Sequence, residues 1–138
     1  MMTATLLMAA SAGIILLLGL IHLSITFSGT KLNPRSAALK TSMQEISPVI
    51  SRETTMWKAW IGFNASHSMG AILFGLVYGY LALAQGALLF HSPYLLFVGL
   101  AMLLSLVALG KVYWFSVPFI GIAIALACYC AAVVLSRL

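Results

Sequence analysis

With 138 residues, 63% of them hydrophobic and 7% charged, and a formal net charge of +5, the chain is too apolar for a soluble domain, because an interior of that size could not hide so much apolar surface. The positive charge does not indicate nucleic acid: five of the seven basic residues fall in one polar segment, where they read as topology signals and contacts to anionic lipid. Cys128 and Cys130 sit two apart in an apolar run, on divergent helix faces, and read as small core or lipid-facing residues that do not bond to one another.

Charge placement defines the elements. Seven of the nine charged side chains lie between Lys31 and Lys58, and only Lys111 and Arg137 lie elsewhere. A charge at mid-bilayer costs at least ~2.5 kcal/mol, so the charge-free runs are the crossing segments. The first span is 4–27, and without a basic leader segment it reads as a retained helix rather than a cleaved signal. A polar loop over 28–56 follows. Within it Asn33-Pro34 is a helix-start signal, and Leu39, Met43 and Ile46 recur at helical spacing, describing a short amphipathic helix on the membrane surface that Pro48 ends. Its role is that of a connector shielding the end of the bundle, or of a lid over a substrate.

Thr54 or Thr55 caps the second span, 59–83. The uncharged stretch that follows breaks between Ala84 and Pro93, with Ser92 as cap and Pro93 at the first position of the third span, 93–109. Gly110-Lys111 reads as a short turn before the fourth span, 114–135. The expected fold class is therefore all-α: a polytopic membrane protein with a four transmembrane helix bundle in one domain and a short amphipathic helix in the first loop. Lys31, Arg35, Lys40, Arg52, Lys58 and Lys111 share one side and Arg137 the other, so the positive-inside rule puts both termini outside the cytoplasm.

The second span carries the polar residues that form a pattern. Trp57, Trp60, Asn64, His67, Ala71, Phe74 and Tyr78 are spaced by three and four along one helix face. Polar groups at membrane depth seek partners, and the first span offers His22 with Ser24 and Thr26 nearby. Counting helical rise from the loop puts His22 roughly 8 Å and His67 roughly 15 Å deep, an imperfect match. Two readings follow: a hydrogen-bonded cluster tying the first two spans, or a ligand site for a quinone, lipid headgroup or other amphiphile formed by His22, Trp60, Asn64, His67, Phe74 and Tyr78. A bis-histidine haem is a third, disfavoured by the depth offset. No metal site and no resident cofactor are expected. Gly62, Ser66 and Gly70 occupy another face at spacing four, repeated by Gly75 and Gly79, and read as helix-packing positions within the bundle or between subunits.

The stretch from Thr54 to Gly70, with Trp57, Lys58, Trp60, Asn64, Ser66 and His67, together with the upstream Lys31-Leu32-Asn33-Pro34-Arg35, resembles a family of small, uncharacterised bacterial four-span membrane proteins. The resemblance implies a bacterial inner-membrane setting and no chemistry. Size and span count are also similar to those of glutathione-linked membrane enzymes of eicosanoid metabolism, but Arg52 and Glu53 stand at the wrong spacing from Asn64 for their motif. With both acidic residues in the loop and no acid, base or nucleophile constellation, the expected function is non-enzymatic: binding a lipid or amphiphile, or serving as an accessory subunit. The alternative is a small intramembrane enzyme on a lipophilic substrate using His67 and Asn64. Expected partners are membrane lipids and, beyond them, a homo-oligomer or larger membrane complex; nucleic acid is not one.

Overall fold

The computed structural model describes residues 2–138, which are helical throughout apart from turns and loops: α1 (Met2–Phe27), α2 (Ala37–Glu45), α3 (Met56–Ala84), α4 (Gly86–His91), α5 (Pro93–Tyr113) and α6 (Ser116–Leu135). Four of these, α1, α3, α5 and α6, are long and apolar enough to cross a membrane, and the protein is a four-helix membrane bundle. The chain divides into two compact units, one comprising Met1–Leu18 and Ala71–Leu138, the other Gly19–Gly70.

In the first unit each helix contributes one buried stripe at alternating spacings of three and four. These are Ala4, Met8, Ser11 and Ile15 from α1; Ala71, Phe74, Tyr78 and Leu81 from α3; Leu96, Gly99, Leu103, Leu106 and Gly110 from α5; and Ile122, Ala125, Tyr129 and Ala132 from α6. Such spacing keeps a seam facing its neighbour over several turns. Small residues let the seams close. A Cβ added at Gly75 would lie 2.5 Å from the Leu16 Cβ and 2.8 Å from both the Ala12 carbonyl oxygen and the Leu16 Cα, so α1 and α3 meet almost backbone to backbone.

Two tyrosines hold α5 in the same unit. The Tyr78 hydroxyl donates to the Leu95 carbonyl at 2.7 Å and the Tyr129 hydroxyl to the Leu96 carbonyl at 2.9 Å. Tyr78 stacks on Phe74 and meets Tyr129 edge-on. A Cβ on Gly99 would lie 2.5 Å from the Tyr129 hydroxyl and 2.6 Å from the Tyr78 ring, so both phenols rely on that glycine.

Two boundaries differ from the sequence reading. Helix α5 runs straight through Gly110-Lys111 and ends at Tyr113, with Trp114 as its C-cap and Phe115 as the N-cap of α6. Gly110 is not a turn residue: it is buried, and a Cβ there would lie 3.3 Å from the Phe119 and Trp114 rings. The stretch between α3 and α5 is not a plain loop but holds the single-turn helix α4, whose Leu89 and Phe90 are buried. Ser92 accepts from the Leu95 N–H at 3.3 Å, and Pro93 opens α5.

Candidate functional site

The second unit, Gly19–Gly70, is built from the last turns of α1, the polar loop with α2, and the first half of α3. Helix α1 ends with the Ser28 N–H on the Ser24 carbonyl, and Gly29 follows at φ +104°, a left-handed conformation that a side chain would strain. Asn33-Pro34 does not start a helix. The Asn33 N–H is used to close a turn on the Thr30 carbonyl at 3.0 Å, and α2 begins only at Ala37, capped by the Ser36 hydroxyl. The loop then returns to α3, where Thr55 accepts from the Lys58 N–H at 3.3 Å. Three contacts lock the loop: the Met56 N–H to the Ile46 carbonyl at 2.8 Å, the Trp60 indole N–H to the Leu32 carbonyl at 3.1 Å, and Lys40 Nζ over the Trp57 ring at 5.0 Å.

His22, Asn64 and His67 come together. The Asn64 Nδ2 donates to the Trp60 carbonyl one turn back at 2.8 Å. A carbonyl only accepts, so the amide orientation is settled and Oδ1 faces His22 Nε2 at 3.0 Å. His22 therefore donates from Nε2 to the Asn64 oxygen. The His67 ring meets the His22 ring edge-on, with centroids 5.6 Å apart and planes at 85°. The depth offset counted from helical rise is overcome by side-chain direction. Cα–Cβ bonds tilt toward the helix N-terminus, so His22 leans away from the loop while His67, on the returning helix, leans back toward it.

The helix hydroxyls are satisfied locally. Thr26, which is buried, donates to the His22 carbonyl at 2.7 Å, and buried Ser68 donates to the Asn64 carbonyl at 2.8 Å. His67 itself is exposed, as are Trp60 and Gly62, while His22 and Asn64 are half-buried. The polar cluster thus joins two half-buried groups to one exposed ring.

Next to it lies an open groove of about 410 Å³ lined by Lys31, Leu32, Asn33, Pro34, Met43 and Trp60. Trp60 belongs to both features: its ring lines the groove, its indole N–H pins the Leu32 turn, and its carbonyl orients Asn64. Of the lining, only Trp60 was marked by its position on the polar stripe. The others come from the Lys31–Pro34 turn, whose recognisable signal is Gly29 with Asn33-Pro34 read as a turn, and from Met43 on α2.

Phe74 and Tyr78 lie elsewhere, in the core of the other unit, with the Tyr78 hydroxyl committed to the Leu95 carbonyl. The stripe that runs Trp60, Asn64, His67, Phe74, Tyr78 therefore serves the polar cluster in its first half and helix packing in its second. The small-residue positions split as well. Gly75 meets α1 directly and Gly79 has the Ala12 Cβ at 3.9 Å. At Gly62 and Gly70 a Cβ would meet nothing within 4 Å beyond its own helix backbone among the described residues, and Ser66 is exposed with its hydroxyl on the Phe63 carbonyl.

Comparison with protein-family models, with curated proteins and with solved structures gives no match for this chain.

Proposed function

We propose that this chain is a non-enzymatic bacterial inner-membrane protein, with both termini outside the cytoplasm, that binds the polar end of a lipid or other amphiphile at the loop end of α1 and α3. The observation that carries this reading is the position of Trp60, which joins an open groove to a polar cluster on the same helix. An amphiphile needs such a divided environment. The groove offers apolar and aromatic walls with Lys31 at its edge, and its volume falls within the ~300–1,000 Å³ usual for small-molecule sites. The His22 and His67 rings, edge-on to one another in the adjoining cluster, give the same end of the helices a polar lining at membrane depth. Catalysis is the weaker reading: no carboxylate, thiol or hydroxyl lines the groove, and both ends of the Asn64 amide are engaged.

Native mass spectrometry on protein extracted in lipid nanodiscs from its own membrane tests the proposal. The expected result is a co-purifying amphiphile that is lost in Trp60→Ala while helicity is kept, and lost far less in a Thr55→Ala variant that weakens the same loop without touching the groove. No adduct in the wild type, or an unchanged adduct in Trp60→Ala, would overturn it.

A second reading, an accessory subunit or homo-oligomer, is favoured by the uncovered Gly62, Ser66 and Gly70 face of α3. Small residues at spacing four allow a neighbouring transmembrane helix to approach closely.

A further inference from the structure

The segment between α2 and α3 presents two large aliphatic side chains with nothing over them. Val49 and Ile50 have relative exposures of 108% and 93%. They form the apex of a turn closed by the Ser51 N–H on the Pro48 carbonyl at 3.2 Å, followed by the Glu53 N–H on the Ser51 hydroxyl at 3.1 Å. Turn apices favour Gly, Asn, Asp and Ser, which either relax the backbone or bond to it. Two branched aliphatics there stay exposed and gain nothing from folding, which calls for an apolar phase outside the chain.

The turn is held in place rather than loose. The bond between the Met56 N–H and the Ile46 carbonyl closes the loop at its base, directly where α3 begins. Its apex is therefore tethered within a few residues of the point where a membrane-crossing helix starts. Charge identifies the phase. Lys31, Arg35, Lys40, Arg52 and Lys58 outnumber Glu45 and Glu53 in this segment, giving it a surplus of positive charge, with Arg52 two residues beyond Ile50. Aliphatic side chains next to basic ones are the composition of an element that seats itself in an anionic lipid interface, with the alkyl groups entering the acyl boundary and the cations staying at the phosphates.

We infer that the Pro48–Ser51 turn is a membrane-inserting anchor, with Val49 and Ile50 buried in the anionic interface of the same bilayer that the four long helices cross. Leu39 and Ile46, earlier in the same polar segment, are exposed as well. This anchor is separate from the Trp60 groove and stands without it. By fixing the loop at lipid level it would hold the Lys31–Pro34 turn and α2 in register with the headgroups.

The test uses the full chain with Cys128→Ser and Cys130→Ser, carrying Val49→Cys or Ile50→Cys labelled with an environment-sensitive fluorophore. A Gln44→Cys label on exposed α2 is the reference. The proteins are placed in nanodiscs of phosphatidylcholine alone or with phosphatidylglycerol, each with and without nitroxide-bearing acyl chains. The expected result is blue-shifted emission at both apex positions, quenched by the nitroxide lipids more than at Gln44 and enhanced by phosphatidylglycerol. Water-like emission without lipid quenching in both compositions would overturn the inference. So would a blue shift that is insensitive to nitroxide lipid, or one that appears only with several copies per disc, since these mark a protein partner or a second copy instead. Circular dichroism and melting of each labelled variant separate a misplaced anchor from a misfolded chain.

Discussion

Replacing Gly75 by alanine adds one methyl group at the closest approach of α1 and α3. The new Cβ would sit 2.5 Å from the Leu16 Cβ and 2.8 Å from the Ala12 oxygen and the Leu16 Cα, against ~3.5–4.0 Å for a comfortable carbon contact. Two of these three neighbours are backbone, so no rotamer change relieves the clash and the helices must part by about 1 Å. A gap of ~0.5–1 Å forfeits a quarter to a half of each pair's dispersion well along the seam, and overpacking of this kind costs ~1–3 kcal/mol. Alanine is the better helix former by up to ~1 kcal/mol, which offsets part of that cost. The expected net loss is about 1–2 kcal/mol. Reversible unfolding in mixed micelles with increasing sodium dodecyl sulfate measures it, with Gly13→Ala as the matched control on α1, since a Cβ there meets nothing within 4 Å. The control should be neutral or slightly stabilising. A Gly75→Ala protein as stable as its Gly13→Ala counterpart would refute the backbone contact.

Gly99→Ala should be more damaging than Tyr129→Phe, because the methyl group displaces two phenols while the phenylalanine loses one interhelical hydrogen bond worth roughly 0.6–1.7 kcal/mol; equal unfolding midpoints would contradict this ranking. Gly70→Leu should leave the stability of an isolated chain within ~0.5 kcal/mol of wild type, as at other unconstrained sites, and any effect should appear in association measured by single-molecule photobleaching or cross-linking. A double-mutant cycle of His22→Ala and Asn64→Ala should return a coupling of roughly 0.6–1.7 kcal/mol, and a coupling near zero would mean that their 3.0 Å contact carries no stability. Cysteine labelling of intact cells should reach a site beside Arg137 and miss one beside Lys40; the reverse pattern would invert the topology.

The four long helices were legible because bilayer insertion makes charge placement decisive, and Lys31 to Lys58 collects nearly all of the charge. Capping was legible where a residue's chemistry has one local use, as at Ser92-Pro93 and Thr55. It failed at Asn33-Pro34, a pair that suits a turn as well as a helix start, and here the turn takes the Asn33 N–H. It failed again at Gly110-Lys111, where glycine is needed for packing against Phe119 and Trp114 rather than for a bend.

Packing faces were the least legible feature, for a reason rooted in the solvent. A soluble helix shows its buried face by contrast with a polar one, but lipid-facing and protein-facing positions in a membrane helix are equally apolar. Gly62, Ser66 and Gly70 look as suitable for a seam as Gly75, and only the rotation of α3 decides between them. The rotation is also what the polar groups report. His22, Asn64 and His67 have to meet one another, because an isolated amide or imidazole at that depth is costly, and their meeting turns the first half of α3 so that Gly62 and Ser66 are left uncovered. Phe74 and Tyr78, further along the sequence of α3, belong to the core of the other unit. Within the first half of α3, the phase set by three polar residues thus determines both which side carries the candidate site and that Gly62 and Ser66 lie on an uncovered one.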